Sequence, residues 1–344
     1  MELTRSQKRA MTFGMAGIAA VLMAQAMRRR TSYDFAGKSV LLTGGSRGLG
    51  LVLARQLADE GARLTLVART VEDLDRAAED IRERQPFTDI LTVAADLRMR
   101  DAAERAVAAA VDHHGGIDVL INNAGTIQVG PLDHMSIADY DDAMRTHFWA
   151  PLFTTLAALP HMRRRGEGRI VNISSIGGRL AVPHLVPYSA SKFALTGLSD
   201  GLRYELAQDN ILVTTVCPGL MRTGSPVNAM FKGRRPDEYA WFAISDSLPL
   251  TSISADRAAH QIIEACRRGD AELVITLQAK MAIAARTAAP ELFAHAMAFM
   301  NRLLPPPTGR EGDEAKSGRD SESSLVPSAL TDATYRAAEK NNEL

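Results

Sequence analysis

Ser39-Val40-Leu41-Leu42-Thr43-Gly44-Gly45-Ser46-Arg47-Gly48-Leu49-Gly50 is a short apolar run, a glycine turn and then the start of a helical pattern. A brief apolar run bounded by turn residues reads as a buried strand of a parallel sheet. Gly44, Gly48 and Gly50 permit the tight turn and let the backbone approach a pyrophosphate at the N-terminus of the following helix. The spacing is G-x-x-x-G-x-G, not G-x-G-x-x-G. A glycine loop by itself is often only a turn, so the rest of the chain has to decide its meaning.

Outward from this stretch the same grammar repeats. Residues 38–43, 63–68, 90–94, 117–121, 168–174, 211–216 and 272–277 read as strands. Helical patterns fall near 49–60, 71–85, 100–113, 137–162, 188–208 and 255–268, with Gly61 and Gly269 as helix-ending glycines. Alternation of this kind predicts an α/β chain with a doubly wound, Rossmann-type, seven-stranded parallel sheet and helices on both faces. In such sheets ligands bind outside the carboxyl ends of the strands. Every motif described below falls just past a predicted strand end, so one face collects them.

Tyr188 and Lys192 lie four residues apart in Tyr-Ser-Ala-Ser-Lys, one above the other on a helix face. A free phenol has a pKa near 10. An ammonium held close favours the phenolate and is expected to draw that pKa toward neutrality, making the phenol a usable proton donor or acceptor. Thirteen residues before Tyr188, the run Arg-Ile-Val-Asn-Ile-Ser-Ser ends at Ser175. It reads as a buried strand delivering hydroxyls at its end. Strand alternation turns Ser174 to the opposite side and leaves Ser175 as the hydroxyl facing the tyrosine.

Together these residues resemble the short-chain dehydrogenase/reductase family over roughly 38–275. The resemblance rests on Thr43 to Gly50, Asp96 after the third strand, Asn122-Asn123-Ala124-Gly125 after the fourth, Ser175, Tyr188, Lys192, and Pro218-Gly219 with Thr223. It implies hydride transfer between a nicotinamide and a carbonyl or secondary alcohol. Tyr188 would be the general acid or base, Lys192 its modulator and a ribose contact, and Ser175 a donor to the substrate oxygen. It also implies a cofactor site built from Gly44, Ser46, Arg47, Gly48, Leu49, Gly50, Asp96, Leu97, Asn123, Ala124, Gly125, Tyr188, Lys192, Pro218, Gly219 and Thr223. One departure stands out. His147 occupies the position where the family usually has an asparagine in a proton relay. Imidazole can donate and accept hydrogen bonds, so His147 is either a relay residue or a packed histidine.

The second strand ends in Ala68-Arg69, with no carboxylate to hold an adenosine 2′-hydroxyl, and Arg47 lies in the glycine loop. Two guanidinium groups suit a 2′-phosphate. NADP(H) is therefore expected over NAD(H). The stretch 220–250 carries Met221, Met230, Phe231, Tyr239, Trp241 and Phe242, which reads as walls for a hydrophobic, lipid-like carbonyl or alcohol or as the core of a lid. The alternative to an enzyme is a non-catalytic NADP-binding scaffold or regulatory protein of the same fold.

The chain has 344 residues, 40 basic and 40 acidic, so net charge gives no case for nucleic-acid binding. Two cysteines, Cys217 and Cys266, make no metal set, and His113, His114 and His184 show no metal spacing. Residues 1–33 are expected to form an N-terminal apolar helix. Its uncharged part, 11–27, spans about 25 Å as a helix and is flanked by basic residues. It reads as a membrane anchor, with an interfacial helix and a cleaved signal peptide as the other readings. The domain is then 34–278, with an amphipathic extension at 279–304 carrying Phe293, Met297, Met300 and Leu304. The polar segment 305–344 is expected to be a disordered tail. The expectation for the whole is a membrane-associated homo-oligomer with its catalytic domain cytoplasmic, or else a soluble cytoplasmic one.

Overall fold

The computed structural model describes residues 33–247, 252–323, 326–328 and 331–344. Seven strands form one sheet: β1 (Ser39–Thr43), β2 (Arg63–Ala68), β3 (Ile90–Ala94), β4 (Val119–Asn122), β5 (Gly168–Ile173), β6 (Ile211–Pro218) and β7 (Glu272–Ile275). Their order is β7-β6-β5-β4-β1-β2-β3, and every pairing is parallel. The order reverses between β1 and β4, which opens a crevice at their carboxyl ends.

Alternation along each strand sends side chains to two separate cores. Val40, Leu42, Leu64, Leu66, Val119 and Ile121 face helices α1 (Gly48–Asp59), α2 (Val71–Arg84) and the later helix Ala255–Arg268. Leu41, Val67, Leu120, Ile170 and Val213 face α3 (Arg100–His114) and the helices Ala150–Arg165 and Val186–Leu206. Leu41, Leu42, Leu64 and Leu66 are fully buried, each contributing about 1.5–3 kcal/mol of transfer free energy. A strand buried on both faces shows no polar alternation, which is why these runs read as continuously apolar.

The long helix expected over 137–162 is interrupted. It runs as α4 (Ile137–Met144), one π-helical turn (Arg145–Trp149) and α5 (Ala150–Arg165). Pro151 has no N–H to give the carbonyl of His147, and its ring crowds that carbonyl. The wider turn at this point absorbs the missing bond. After α5 come α6 (Val186–Leu206), α7 (Arg235–Ser247), α8 (Ala255–Arg268), α9 (Leu277–Ala288) and α10 (Pro290–Asn301).

The stretch expected to wall the substrate packs partly on itself. Phe231, Tyr239 and Phe242 are buried with Val129, Leu185 and Val326 in a third apolar cluster, their rings 5.3 and 6.0 Å apart. In the extension, α10 packs on α9 with Phe293, Met297 and Met300 half-buried, while Leu292 and Phe299 are exposed.

The tail is where the expectation of disorder fails. Lys316–Ser317 pairs antiparallel with Met230–Phe231, and α11 (Asp332–Lys340) docks on α7. The segment has too little apolar surface to fold alone, but it borrows a partner surface. Ala338 and Thr334 are buried, the Tyr335 hydroxyl meets that of Tyr239 at 2.8 Å, and Val326 enters the third cluster. The N-terminal apolar helix and anchor expected at 1–33 lie, apart from Tyr33, outside the described residues. Among the described residues no helix is long and apolar enough to cross a membrane.

Candidate active site

The glycine loop joins β1 to α1. Gly44 and Gly48 have φ of 66° and 56°, a backbone region that costs most other residues energy. A Cβ on Gly50 would lie 1.9 Å from the carbonyl oxygen of Gly44, so no side chain fits there. The Thr43 hydroxyl accepts hydrogen bonds from the backbone N–H groups of Asn123 and Ala124 at 2.9 and 3.0 Å. The Asn123 side-chain amide donates to the carbonyls of Thr43 and Gly44, both at 3.2 Å. These bonds staple the loop after β4 to the loop after β1 across the crevice. Asn122 instead points into the core and donates to Asn172.

The other cofactor candidates surround this cradle. Ser46 and Leu49 are buried in it. Asp96 is clasped by Arg98, which donates to it from backbone and guanidinium, and this holds the carboxyl below its usual range. Leu97 beside it is buried, and Arg69 is exposed at the end of β2. Arg47 reaches across the loop to the Asn228 side-chain oxygen at 3.0 Å. Pro218 ends β6, the Gly219 N–H donates to Ile275, and Thr223 bonds Ser225. Glycine backbone at a helix N-terminus, with Arg47 beside it, fits an anionic dinucleotide.

Ser175, Tyr188 and Lys192 come together at the end of β5, with Tyr188 in the first turn of α6 and Lys192 one turn later. The phenol ring and the Ser175 hydroxyl both lie against Gly177, where a Cβ would meet them at 3.2 and 3.4 Å. The Ser175 hydroxyl accepts from the Gly177 N–H at 3.0 Å. Lys192 sends its ammonium to the carbonyl of Ile173 at 2.9 Å and lies 5.7 Å from the tyrosine ring. Ser174 bonds Thr196 and the carbonyl of Lys192, the structural role that alternation assigned to it.

The electrostatics of the pair run opposite to the expectation. Burial pushes Tyr188 up to about 12, only partly offset by the Ser175 hydroxyl. Burial likewise lowers Lys192 to about 7. Neither charged form is favoured where both groups are removed from water and the ammonium is turned to a neutral carbonyl.

His147 sits in the π-helical turn, its ring edge-on to Tyr188 at 5.3 Å. The Thr126 N–H donates to Nε2 at 3.2 Å, and Nδ1 lies 2.8 Å from Ser191 Oγ. The Ser191 hydroxyl is already spent on the Tyr188 carbonyl, so the ring proton belongs on Nδ1. Burial first, then the Lys192 charge, holds this imidazole well below its ordinary pKa, and it is neutral. Both His147 nitrogens therefore have partners on other segments. A Cβ on Gly125 would come within 3.2 Å of its Nε2 and 3.7 Å of Lys192 Nζ, so that glycine keeps the floor of the pocket open.

Sequence reasoning missed the residues that cover the cradle. Gly48 N–H donates to the carbonyl of Asn341 at 2.9 Å. The Asn342 side chain donates to the carbonyl of Ser46 at 2.9 Å and accepts from Arg76 at 2.7 Å. The Glu343 carboxyl lies against Gly48, where a Cβ would meet it at 2.9 Å, and accepts from the Gly224 N–H. The sole signal in the sequence was the apolar spacing of Tyr335 and Ala338, which says nothing about where α11 docks. Sequence spacing also hid a cluster at the edge of the sheet. Asp89 accepts from His113 at 2.9 Å and lies 3.3 Å from His114 Nδ1, tying the loop before β3 to the end of α3.

Comparison with known proteins agrees with this arrangement. The family profile described as short chain dehydrogenase matches residues 38–230. A dehydrogenase/reductase SDR family protein 7-like of Anopheles gambiae is 37% identical over 219 residues, 62% of this chain and 68% of that protein. Gluconate 5-dehydrogenase of Gluconobacter oxydans is 37% identical over 191 residues, 56% of this chain and 74% of that one. Among solved structures, L-sorbose reductase from Gluconobacter frateurii, complexed with NADPH and L-sorbose, superposes with a TM-score of 0.63 at 26% identity. The match covers 71% of this chain and 97% of that one.

Proposed function

Because the chain belongs to the short-chain dehydrogenase family, we propose that it transfers hydride between NADP(H) and a carbonyl or secondary alcohol of a hydrophobic substrate, with Tyr188 as general acid and base. It is an oxidoreductase that acts on alcohol or ketone groups and takes a nicotinamide cofactor. A nicotinamide held by the glycine loop, Asn123 to Gly125 and Pro218 to Thr223 would supply or accept the hydride. In the reductive direction Ser175 donates a hydrogen bond to the substrate oxygen, and Tyr188 delivers its proton to that oxygen as the carbon is reduced. Lys192, one turn along α6, would favour the phenolate left behind once its ammonium turns from the Ile173 carbonyl. In the oxidative direction the same phenolate takes the hydroxyl proton.

The observation that carries this reading is the convergence of Ser175 and Tyr188 on Gly177, with buried Lys192 one turn along α6 and against Gly125. Tyr188→Phe is expected to lower kcat by about 10³-fold with NADPH binding, read by fluorescence, retained. Undiminished turnover in that variant would end the acid–base assignment.

For the cofactor, the absence of a carboxylate at Ala68-Arg69 and the exposure of Arg69 support a 2′-phosphate contact. Arg69→Ala is expected to cut kcat/KM for NADPH by about tenfold, the worth of one charged hydrogen bond, and to leave the NADH value unchanged. A wild-type preference for NADH would reverse the assignment. For the substrate, Tyr188 and Trp241 both pack against the apolar cluster that contains Phe231, Tyr239 and Phe242, which supports an apolar wall beside the reacting carbon.

Membrane association through residues 11–27 and a homo-oligomeric state rest on the sequence alone. The competing reading, a non-catalytic nucleotide-binding protein, is favoured by one observation: the C-terminal residues lie in the cradle. Cofactor binding without turnover across a carbonyl and alcohol panel would select it.

A further inference from the structure

We infer that the C-terminal residues Asn341–Leu344 are an intramolecular competitor of the cofactor, seated in the pyrophosphate cradle and released when the dinucleotide binds. This rests on the reading of the glycine loop as the cofactor site. Three contacts place the segment there. The Gly48 N–H, first in α1 and aimed at a bound anion in such loops, is given to the Asn341 carbonyl at 2.9 Å. The Glu343 carboxyl fills the space over Gly48 that its missing side chain leaves open. The backbone carbonyl of Glu343 accepts from the Asn228 amide at 2.9 Å, the same residue that Arg47 holds by its side-chain oxygen.

The segment also bridges the two walls of the crevice. On one side it bonds Ser46 and Gly48 of the glycine loop. On the other, Gly224 N–H donates to the Glu343 carboxyl, one residue past Thr223 on the segment expected to cover the nicotinamide end. A dinucleotide lying along the carboxyl ends of the strands must pass between those walls. Glu343 is 6% exposed and Asn341 1%, so the two occupants exclude each other.

The strap can leave without unfolding the domain. Its anchor is α11, docked on α7 through Thr334, which meets Ser247, and Tyr335, which meets Tyr239. The residues over the cradle follow the helix directly. They lie beyond residues 38–230, the stretch that matches the family profile. A protein whose binding-competent state is populated at a tenth binds ligand about tenfold more weakly, and the strap acts through that fraction.

The test uses the full chain. Wild type, Glu343→Ala, Thr334→Glu and the exposed-site control Glu339→Ala are titrated with NADPH by fluorescence. Thr334→Glu unseats α11 at its contact with Ser247 of α7, away from the cradle. Hydrogen exchange of residues 332–344 is followed with and without NADPH. Glu343→Ala and Thr334→Glu are expected to bind NADPH about tenfold more tightly, Glu339→Ala is expected to match wild type, and NADPH is expected to speed exchange in the strap. Equal or weaker binding by the two strap variants, or equal or slower exchange on binding, overturns the inference and leaves the cofactor reading standing. No binding of NADPH or NADH by any variant, the unseated strap included, overturns both.

Discussion

Lys192 is a cation held away from water, with one carbonyl as its hydrogen-bond partner and a neutral imidazole and a phenol nearby. A burial that lowers its pKa from 10.5 to about 7 is a stability cost, because the unfolded chain holds that proton more tightly. The sign follows from linkage. Where the folded pKa is depressed, folding gains stability as pH rises from about 7 toward 10.5, and the full cost is present below that window. Lys192→Met removes the charge at similar length. It is expected to raise Tm near neutral pH by about 3 °C and to lower kcat by about 10³-fold, as measured by calorimetry and turnover. A lower Tm would mean that the ammonium stabilises this pocket. The raised pKa of Tyr188 fits the same picture. In this structure the residues supply the positions, and the charge that would favour the phenolate is turned to Ile173.

Among the elements, the connection from β1 to α1 and the π-helical turn do most to shape the site. Gly50 lies in the first turn of α1 with its Cα pressed on the Gly44 carbonyl, so the helix starts as close to the strand end as backbone allows. Gly50→Ala is expected to destabilise the fold by about 3 kcal/mol and to weaken cofactor binding, as read by denaturant unfolding and fluorescence titration. Unchanged stability would show that α1 can back away without cost. The π-helical turn has a different origin. It occurs where Pro151 withholds its N–H from the preceding turn, and it places His147 between Thr126 and Ser191, edge-on to Tyr188. The sequence displayed both the proline and the histidine, yet its apolar period ran unbroken from 137 to 162. A one-residue widening barely disturbs that period.

At the scale of the whole molecule, the strap adds a pH dependence of its own. Burial raises Glu343 to about 7 and Asp246 of α7 to about 8, with Arg47 opposing the first and Glu343 adding to the second. Both folded-state values lie above the ordinary 4.5 and 3.8. Their contribution to docking is therefore complete below about 4 and is lost as pH rises through about 7 to 8. Strap protection in hydrogen exchange, corrected for intrinsic rates, is expected to fall between pH 6 and pH 8 by about tenfold, while NADPH affinity rises. Protection that is flat or increasing across this range would show that the two carboxyls do not control docking.

The sequence by itself determined seven parallel strands alternating with helices, and its resemblance to a family singled out Ser175, Tyr188, Lys192 and the glycine loop as candidates. The elements follow from local period and turn chemistry, which a chain carries in its own order, whereas the order of the strands in the sheet does not. The tertiary structure alone decided three things. It set which way the Lys192 ammonium turns, because burial and a carbonyl from β5 settle that. It gave both nitrogens of His147 to residues on other segments. It also ordered the tail, since α11 gains its apolar partner from a helix almost a hundred positions earlier. Contacts between distant segments leave no periodic trace in either one.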